Sequence, residues 1–405
     1  DVVNAGRPLL WQHLFWMFGH PWVYVVVLPA MGIVSDALPT FCRRPLAGYT
    51  PVAIATVATM VIGFVVWVHH MFASGIAPVA LSFFGATSTI ISIPSAVATF
   101  AWIATIWLGR PVYRVPFLFF FGFVLLFVIG GVSGVMTAAV PFDWQLTGTY
   151  FVVAHLHYVL LGINVFPVLG GIYYWFPKFT GRMTSEVLGK FSFWVTFIGF
   201  NVAFFPMHIS GLLGMPRRIY TYSPEMGWST TNLITSAGSF IFALGILIFL
   251  VDIAVSLRHG KPSGNNPWDG ATLEWAVSSP PPPYNFAVVP SVASRNPLWE
   301  DRIGEPPFSV LDTGFLLDHG REALGTTPLD AQPDIILKMP TDSYAPFMLA
   351  VVSALLLVAM LLHAWTATGL MAAACGVTTL AWLWPERLLI QREPQPVHDA
   401  GDHNE

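Results

Sequence analysis

Two histidines, His155 and His157, lie inside a run from Trp144 to Pro177 that holds 34 residues and no Asp, Glu, Lys or Arg. A helix turns about 100° per residue, so positions i and i+2 point roughly 200° apart and the two imidazoles face opposite sides of one helix. One helix could then ligate two separate cofactors. Imidazole suits iron, copper or zinc, and an ionisable group at membrane depth marks a functional site by default. For either His taken alone the other reading stays open, a hydrogen bond to a neighbouring helix.

Three more histidines invite a metal. His69 and His70 close an apolar run in Val66-Trp67-Val68-His69-His70-Met71. Adjacent helical residues diverge by about 100°, so both reach one ion only near a helix edge or end. His20 stands in Phe18-Gly19-His20-Pro21-Trp22-Val23-Tyr24, where Pro21 frees a backbone carbonyl and loosens the helix. Three imidazoles from two helices make a copper- or zinc-type site with an open position, which a catalytic metal requires. Tyr24 shares a helix face with His20. A phenol beside a metal-bound imidazole could supply a proton and an electron, whereas a buried Tyr otherwise packs. With His155 or His157 as the axial ligand of a haem iron, the set suits O₂ chemistry.

These residues must be held by helices in a membrane. The 405 residues are 55% hydrophobic and 10% charged, with a mean hydropathy of +0.65, against about 25% charged in a soluble domain. The composition implies an integral, multi-pass, all-α membrane protein. Apolar runs of spanning length occur at 11–35, 52–71, 88–108, 117–140, 149–176, 189–213, 232–256, 345–366 and 368–385, which predicts nine transmembrane helices. The net charge of −4 says little about partners, because the charges sit in loops; no nucleic-acid partner is expected. Cys42 and Cys375 stand too far apart to suggest a metal knuckle or a disulfide framework.

Alternate loops carry Arg43 and Arg44, Arg110 and Arg114, Lys178, Arg182 and Lys190, then Arg258 and Lys261. The loops near 72–87 and 141–148 carry no basic residue, which puts the basic loops inside. Only Arg217 and Arg218 break the pattern, and a pair of guanidiniums on the outer face is expected to hold something anionic. Residues 257–343 form a Pro-rich non-membrane segment; Leu257 to Asp342 alone holds 13 prolines and 17 of the 40 charged residues. The expected division is a core at 1–256, this segment, a transmembrane hairpin at 344–385 and a polar tail at 386–405.

The stretches Trp11-Gln-His-Leu-Phe-Trp-Met-Phe-Gly-His20-Pro-Trp-Val-Tyr24, Trp67-Val-His69-His70-Met-Phe, Ala154-His-Leu-His-Tyr158, Gly214-Met-Pro-Arg-Arg218 and Leu273-Glu-Trp275 followed by Pro280 to Phe286 closely resemble subunit I of haem-copper terminal oxidases, the cytochrome c oxidase family. The resemblance runs from the start to about residue 290. It implies that His20, His69 and His70 ligate the copper CuB and that Tyr24 is covalently joined to His20. It makes His155 the proximal ligand of a high-spin haem and His157 one axial ligand of a low-spin haem. Arg217 and Arg218 would pair with haem propionates, and Asp143 lies in the same region or is a solvated loop acid. The family's subunit has twelve helices, and the first seven spans here match its sixth to twelfth. The other axial ligand of the low-spin haem belongs to a helix without a counterpart here. Because the chain opens on Asp1, a partial sequence or half of a split subunit is expected. The hairpin at 344–385 reads as an appendage, with His363 and Cys375 as packing.

Departures from the family pattern bear on protons. Trp22 stands where the commonest branch has a proton-relaying glutamate, and Ala98 stands where a second route has lysine; neither carries a proton. Ser95, Thr99 and Ser133 leave a water-and-hydroxyl path toward Tyr24 conceivable, or they serve helix packing. Thr147 and Gly148 replace the usual His-Asp pair, so no magnesium is expected. The resemblance implies O₂ reduction to water in a bacterial cytoplasmic membrane or an organellar inner membrane. Its partners would be a subunit II carrying the electron-entry site, other oxidase subunits and cytochrome c, with quinol as the alternative donor. Tyr24 disfavours a nitric oxide reductase. The reading from another class is a non-enzymatic haem-binding or transport protein on the same scaffold.

Overall fold

The computed structural model describes residues 8–282, 285–286, 290, 292, 294–300, 322–330, 332–338 and 342–384. They divide into two compact units, 1–271 and 272–405. The polar tail beyond 385 lies outside the described residues.

Among the described residues the first unit contains ten α-helices in chain order: α1 (Pro8–Cys42), α2 (Tyr49–Gly63), α3 (Pro78–Ile90), α4 (Ser92–Trp107), α5 (Val115–Ala138), α6 (Val140–Leu146), α7 (Tyr150–His157), α8 (Ile163–Thr180), α9 (Glu186–Leu212) and α10 (Ser229–His259). Seven helical stretches in the described residues are long and apolar enough to cross a membrane: α1, α3 with α4, α5, α7 with α8, α9, α10 and a stretch at Trp365–Leu383. The other two expected spans are apolar but short, at Tyr49–Gly63 and Ala345–Leu361. The run at 52–71 is not one helix, because α2 stops at Gly63 and the chain re-forms as a 3₁₀ turn at Trp67–Met71.

Breaks inside the spans have local causes. Pro21, Pro29 and Pro39 lie within α1 and each removes a backbone donor. Between α7 and α8 the helix widens into a π-turn at Tyr158–Gly162, directly after His157. Asn164 supports this turn by donating to the carbonyls of Val159 and Leu160 at 3.0 and 3.1 Å. The helices hold together by close packing, since lipid offers apolar side chains no less than a neighbouring helix does. A Cβ on Gly199 or Gly238 would run into the facing backbone at Phe242 or Ala203, so small residues set the α9–α10 approach. Phe119, Phe166, Phe193 and Phe200 fill the space among α5, α8 and α9; Phe119 meets Phe193 edge-on with ring centroids 5.2 Å apart.

Several loops gather at one end of this unit. Arg110 N donates to Cys42 O at 2.8 Å, Arg43 donates to Trp268 O and Trp268 Nε1 donates to Tyr174 O. The turn at Gly214–Arg218 is tied instead to the start of α7, where Tyr150 N donates to Met215 O and Arg217 N donates to Gly148 O.

The second unit has a short α11 (Pro297–Glu300), strands β1 (Glu322–Thr326) and β2 (Pro333–Lys338), and helices α12 (Ala345–Leu361) and α13 (Trp365–Leu383). The antiparallel ribbon pairs Glu322 with Lys338 and Gly325 with Ile335, regular structure in a Pro-rich segment expected to be extended or loosely ordered. Ile335 and Ile336 suit a pleated surface, and Ile336 is buried. In the α12–α13 hairpin, Ser353 and Cys375 meet at 3.6 Å. Both cysteines are free thiols.

Candidate metal centre

His20 Nδ1 lies 3.1 Å from His70 Nε2 and 3.1 Å from His69 Nε2, and His69 Nε2 lies 3.2 Å from His70 Nε2. These are the three histidines expected to share a metal, and among the described residues they form the one cluster able to hold an ion. Hydrogen bonding alone cannot satisfy the triangle. Each neutral ring nitrogen is either a donor or an acceptor, so around a ring of three at least one edge joins two of a kind. A cation accepts all three lone pairs at once. An ion about 2.0 Å from each nitrogen, at angles between tetrahedral and trigonal, would set them about 3.3–3.5 Å apart, within a few tenths of an ångström of the observed edges. The donor set fits copper or zinc.

The local fold explains how adjacent histidines reach one point. His69 and His70 sit on the 3₁₀ turn just past α2, not on a regular α-helix. Ser88 Oγ lies 3.0 Å from His69 Nδ1 and fixes that ring from α3. Trp16 stacks on His70 with centroids 3.8 Å apart and planes 10° apart. Neither Ser88 nor Trp16 was expected from the sequence, although Trp16 precedes His20 by four residues and shares its face. On α1, the Tyr24 ring meets His20 edge-on at 4.8 Å. Gly63 makes room for it, since a Cβ there would lie 2.6 Å from Tyr24 Cε2. His20 Nε2 is buried without a hydrogen-bond partner.

The two histidines of α7 do face opposite sides. His155 Nδ1 is 3.0 Å from Ser133 Oγ on α5, whereas the His157 ring stacks on Phe204 of α9 at 4.3 Å. Ser133 donates its only hydroxyl proton to Gly130 O at 3.0 Å, so it accepts from His155 Nδ1–H. His157 Nδ1 is 2.7 Å from the carbonyl of Val153, which can only accept. Both rings are therefore held as the tautomer whose Nε2 lone pair is free for a metal. His155 also lies within electrostatic range of His69 and His70. A Cβ on Gly134 would come 3.0 Å from His155 Cε1, so that position keeps the ring's place open.

At the other end of α7, Asp143 is buried in α6 and accepts from Thr147 Oγ1 at 3.0 Å. Burial pushes its carboxyl up to about 6, against the lowering effect of the Thr147 hydroxyl. Asp143 is thus not a solvated loop acid. Burial and the neighbouring Arg218 hold the Arg217 guanidinium below its usual range. Neither arginine has an ion-pair partner among the described residues.

The expected proton-path residues look different. Ser95 Oγ donates at 3.1 Å to the carbonyl of Ile91, the residue before α4, and Thr99 Oγ1 donates at 2.8 Å to Ser95 O within α4. Ser133 is committed to His155. Ala98 is buried and Trp22 is 47% exposed.

Comparison with known proteins matches the chain to a family model described as cytochrome c and quinol oxidase polypeptide I, over residues 1–241. Cytochrome c oxidase subunit 1 of Bacillus subtilis (strain 168) is 46% identical over 299 residues, 74% of this chain and 48% of that protein. The subunit of the same name from Bacillus sp. (strain PS3) is 43% identical over 347 residues, 85% and 53% respectively. Quinol oxidase subunit 1 of Bacillus spizizenii is 46% identical over 295 residues, 72% and 46% respectively. A solved haem-copper terminal oxidase dimer shares the fold, with a TM-score of 0.58 at 22% identity, covering 63% of this chain and 50% of that one. The chain spans about half the length of the curated relatives it matches.

Proposed function

The chain belongs to the haem-copper oxidase subunit I family, and from that premise we propose that it carries the oxygen-reducing centre of a respiratory terminal oxidase. Family membership and the apolar helices make it an integral membrane protein. The observation that carries the proposal is the imidazole triangle of His20, His69 and His70.

In this reading His20 Nδ1, His69 Nε2 and His70 Nε2 hold CuB, His155 holds a high-spin haem and His157 supplies one axial ligand of a low-spin haem. Bound there, the copper and the two haems supply the redox chemistry that reduces O₂ to water. The chain's own residues orient and protonate. Ser88 and Trp16 lock the His69 and His70 rings, and Ser133 fixes the His155 tautomer. Tyr24 would pass its phenolic proton and one electron to O₂, leaving a neutral phenoxyl radical, and the orphan Nε2 of His20 is the atom to which its ring would be joined. Arg217 and Arg218 neutralise haem propionates, an arrangement that favours bidentate pairing.

Protons reach Tyr24 through water. Ser95 and Thr99 spend their protons on backbone carbonyls but keep lone pairs to which water can donate. Trp22 and Ala98 rule out a carboxylate or amine relay at those two positions. The proposed electron donor is cytochrome c, through a subunit II. A quinol donor is the second reading, favoured by the similarity to a quinol oxidase subunit. The proposed location is a bacterial cytoplasmic membrane, with the basic loops inside.

The test is the reduced-minus-oxidised spectrum of the purified oxidase together with its metal content. A carbon monoxide-sensitive haem and about one CuB per chain are expected. A carbon monoxide-insensitive protein without copper would instead mean a non-enzymatic haem or transport protein.

A further inference from the structure

Among the described residues three arginines at the basic end of the bundle, Arg44, Arg110 and Arg258, lack the partners that their neighbours have, and the backbone places the first two together. Arg43 bonds Trp268 O and pairs with Asp269 at 3.6 Å. Arg114 and Lys190 pair with Glu186, at 3.6 and 3.5 Å, and Arg182 donates to Gly260 O. Among the described residues the side chains of Arg44 and Arg110 make no hydrogen bond or ion pair, and the Nε–H of Arg44 is buried without an acceptor. Two guanidiniums without a counter-charge in the chain are open to an anion from outside it.

The backbone brings these two arginines together by specific means. Arg44 N donates to Pro39 O at 3.3 Å, closing the end of α1 with Arg43 in the left-handed region at φ 56°. Few residues other than glycine adopt that conformation, and here it turns Arg44 back along the helix end. The loop after α4 then docks on the same turn, with Arg110 N on Cys42 O and Val112 N on Phe41 O, each at 2.8 Å. Gly109 permits this docking, since a Cβ there would sit 2.6 Å from Cys42 O. Ala47 N bonds Thr105 Oγ1 at 2.9 Å and fastens the Arg44 loop to α4 from the other side. Beside the pair, Trp107 is 83% exposed and Tyr113 65% exposed, side chains that suit the boundary between lipid and water.

We infer that Arg44 and Arg110 form a phosphate-binding site at the membrane surface, whose phosphate is carried by an anionic lipid headgroup or is free in solution. The phosphate oxygens pair with the terminal guanidinium nitrogens of both arginines. Where the phosphate belongs to a lipid, its chains lie along the apolar face beside Trp107. The site rests on the chain's spanning a membrane and is independent of the oxygen chemistry.

The experiment uses the purified membrane complex containing this chain, exposed to phosphatidylglycerol or phosphatidylcholine and analysed by native mass spectrometry. Each arginine at an anionic surface strengthens binding roughly fivefold. Arg44→Gln with Arg110→Gln is expected to cut phosphatidylglycerol retention by about 25-fold, with phosphatidylcholine retention unchanged. Arg258→Gln, which removes one positive charge from another basic loop on the same side, controls for general surface charge and should lose less lipid than Arg110→Gln. Arg110→Gln alone gives a roughly fivefold loss if the double variant fails to assemble. Displacement of the lipid by millimolar inorganic phosphate identifies a free-phosphate site, and resistance to it identifies the lipid. Equal phosphatidylglycerol retention by Arg110→Gln and Arg258→Gln, whether reduced or unchanged, would overturn the inference.

Discussion

The imidazoles where α1 meets the 3₁₀ turn and the hydroxyls of α4 are both polar groups set in apolar helices. They differ in where their hydrogen-bonding capacity goes. Ser95 and Thr99 turn back onto the carbonyls four residues earlier and need nothing further. His20, His69 and His70 turn toward one another from separate segments into a triangle that hydrogen bonds cannot satisfy. A buried group content with its own backbone is compatible with structure alone. One held against two like groups implies a ligand.

The largest expected effect is on the triangle. His70→Ala should lower bound copper from about one per chain to near zero and O₂ reduction by more than about 100-fold, since one of three ligands is lost. Metal analysis with oxygen-electrode turnover checks both. Tyr24→Phe should abolish turnover with haem binding largely unchanged; unaffected turnover would remove the phenol from the chemistry. Ser88→Ala acts one step out, and a metal ligand that loses its orienting hydrogen bond typically costs about 10- to 100-fold in affinity. Copper retention during dialysis against a chelator reads that loss.

Asp143 gives a pH-dependent effect. Its carboxyl is raised from 3.8 to about 6 by burial, so the charged form is disfavoured in the folded chain. The resulting penalty is absent below about pH 4, grows as pH rises toward 6 and is constant above it. Asp143→Asn should therefore stabilise the haem-free protein by on the order of 2 kcal/mol at pH 8 and by nearly nothing at pH 4, measured as thermal unfolding in detergent. The smallest effect belongs to α4. Ser95→Ala with Thr99→Val should slow turnover by no more than about threefold, because ordered water can replace a missing hydroxyl. A hundredfold loss would place those hydroxyls with the imidazoles as functional groups and erase the contrast.

The sequence exposes the histidines because an imidazole in an uncharged run of spanning length is expensive and has few bland explanations. The opposed faces of His155 and His157 follow from helical geometry alone, and Ser133 and Phe204 lie on the two sides so predicted. Ser88 and Trp16 were not legible, since a serine or a tryptophan in an apolar helix has ordinary packing roles. Their partners, His69 and His70, lie 19 and 54 positions away in the chain. The end of α2 at Gly63 escaped because hydropathy continues unbroken through Trp67, while the backbone changes to place two adjacent histidines on one ion. The β1–β2 ribbon was hidden in a segment whose proline content argued against regular structure.

One copper held by the three imidazoles is expected, and X-ray absorption at the copper edge of the purified oxidase reads its ligands. About three nitrogen neighbours near 2.0 Å are predicted, with the signal lost in His69→Ala. A copper environment unchanged by that substitution would contradict this assignment.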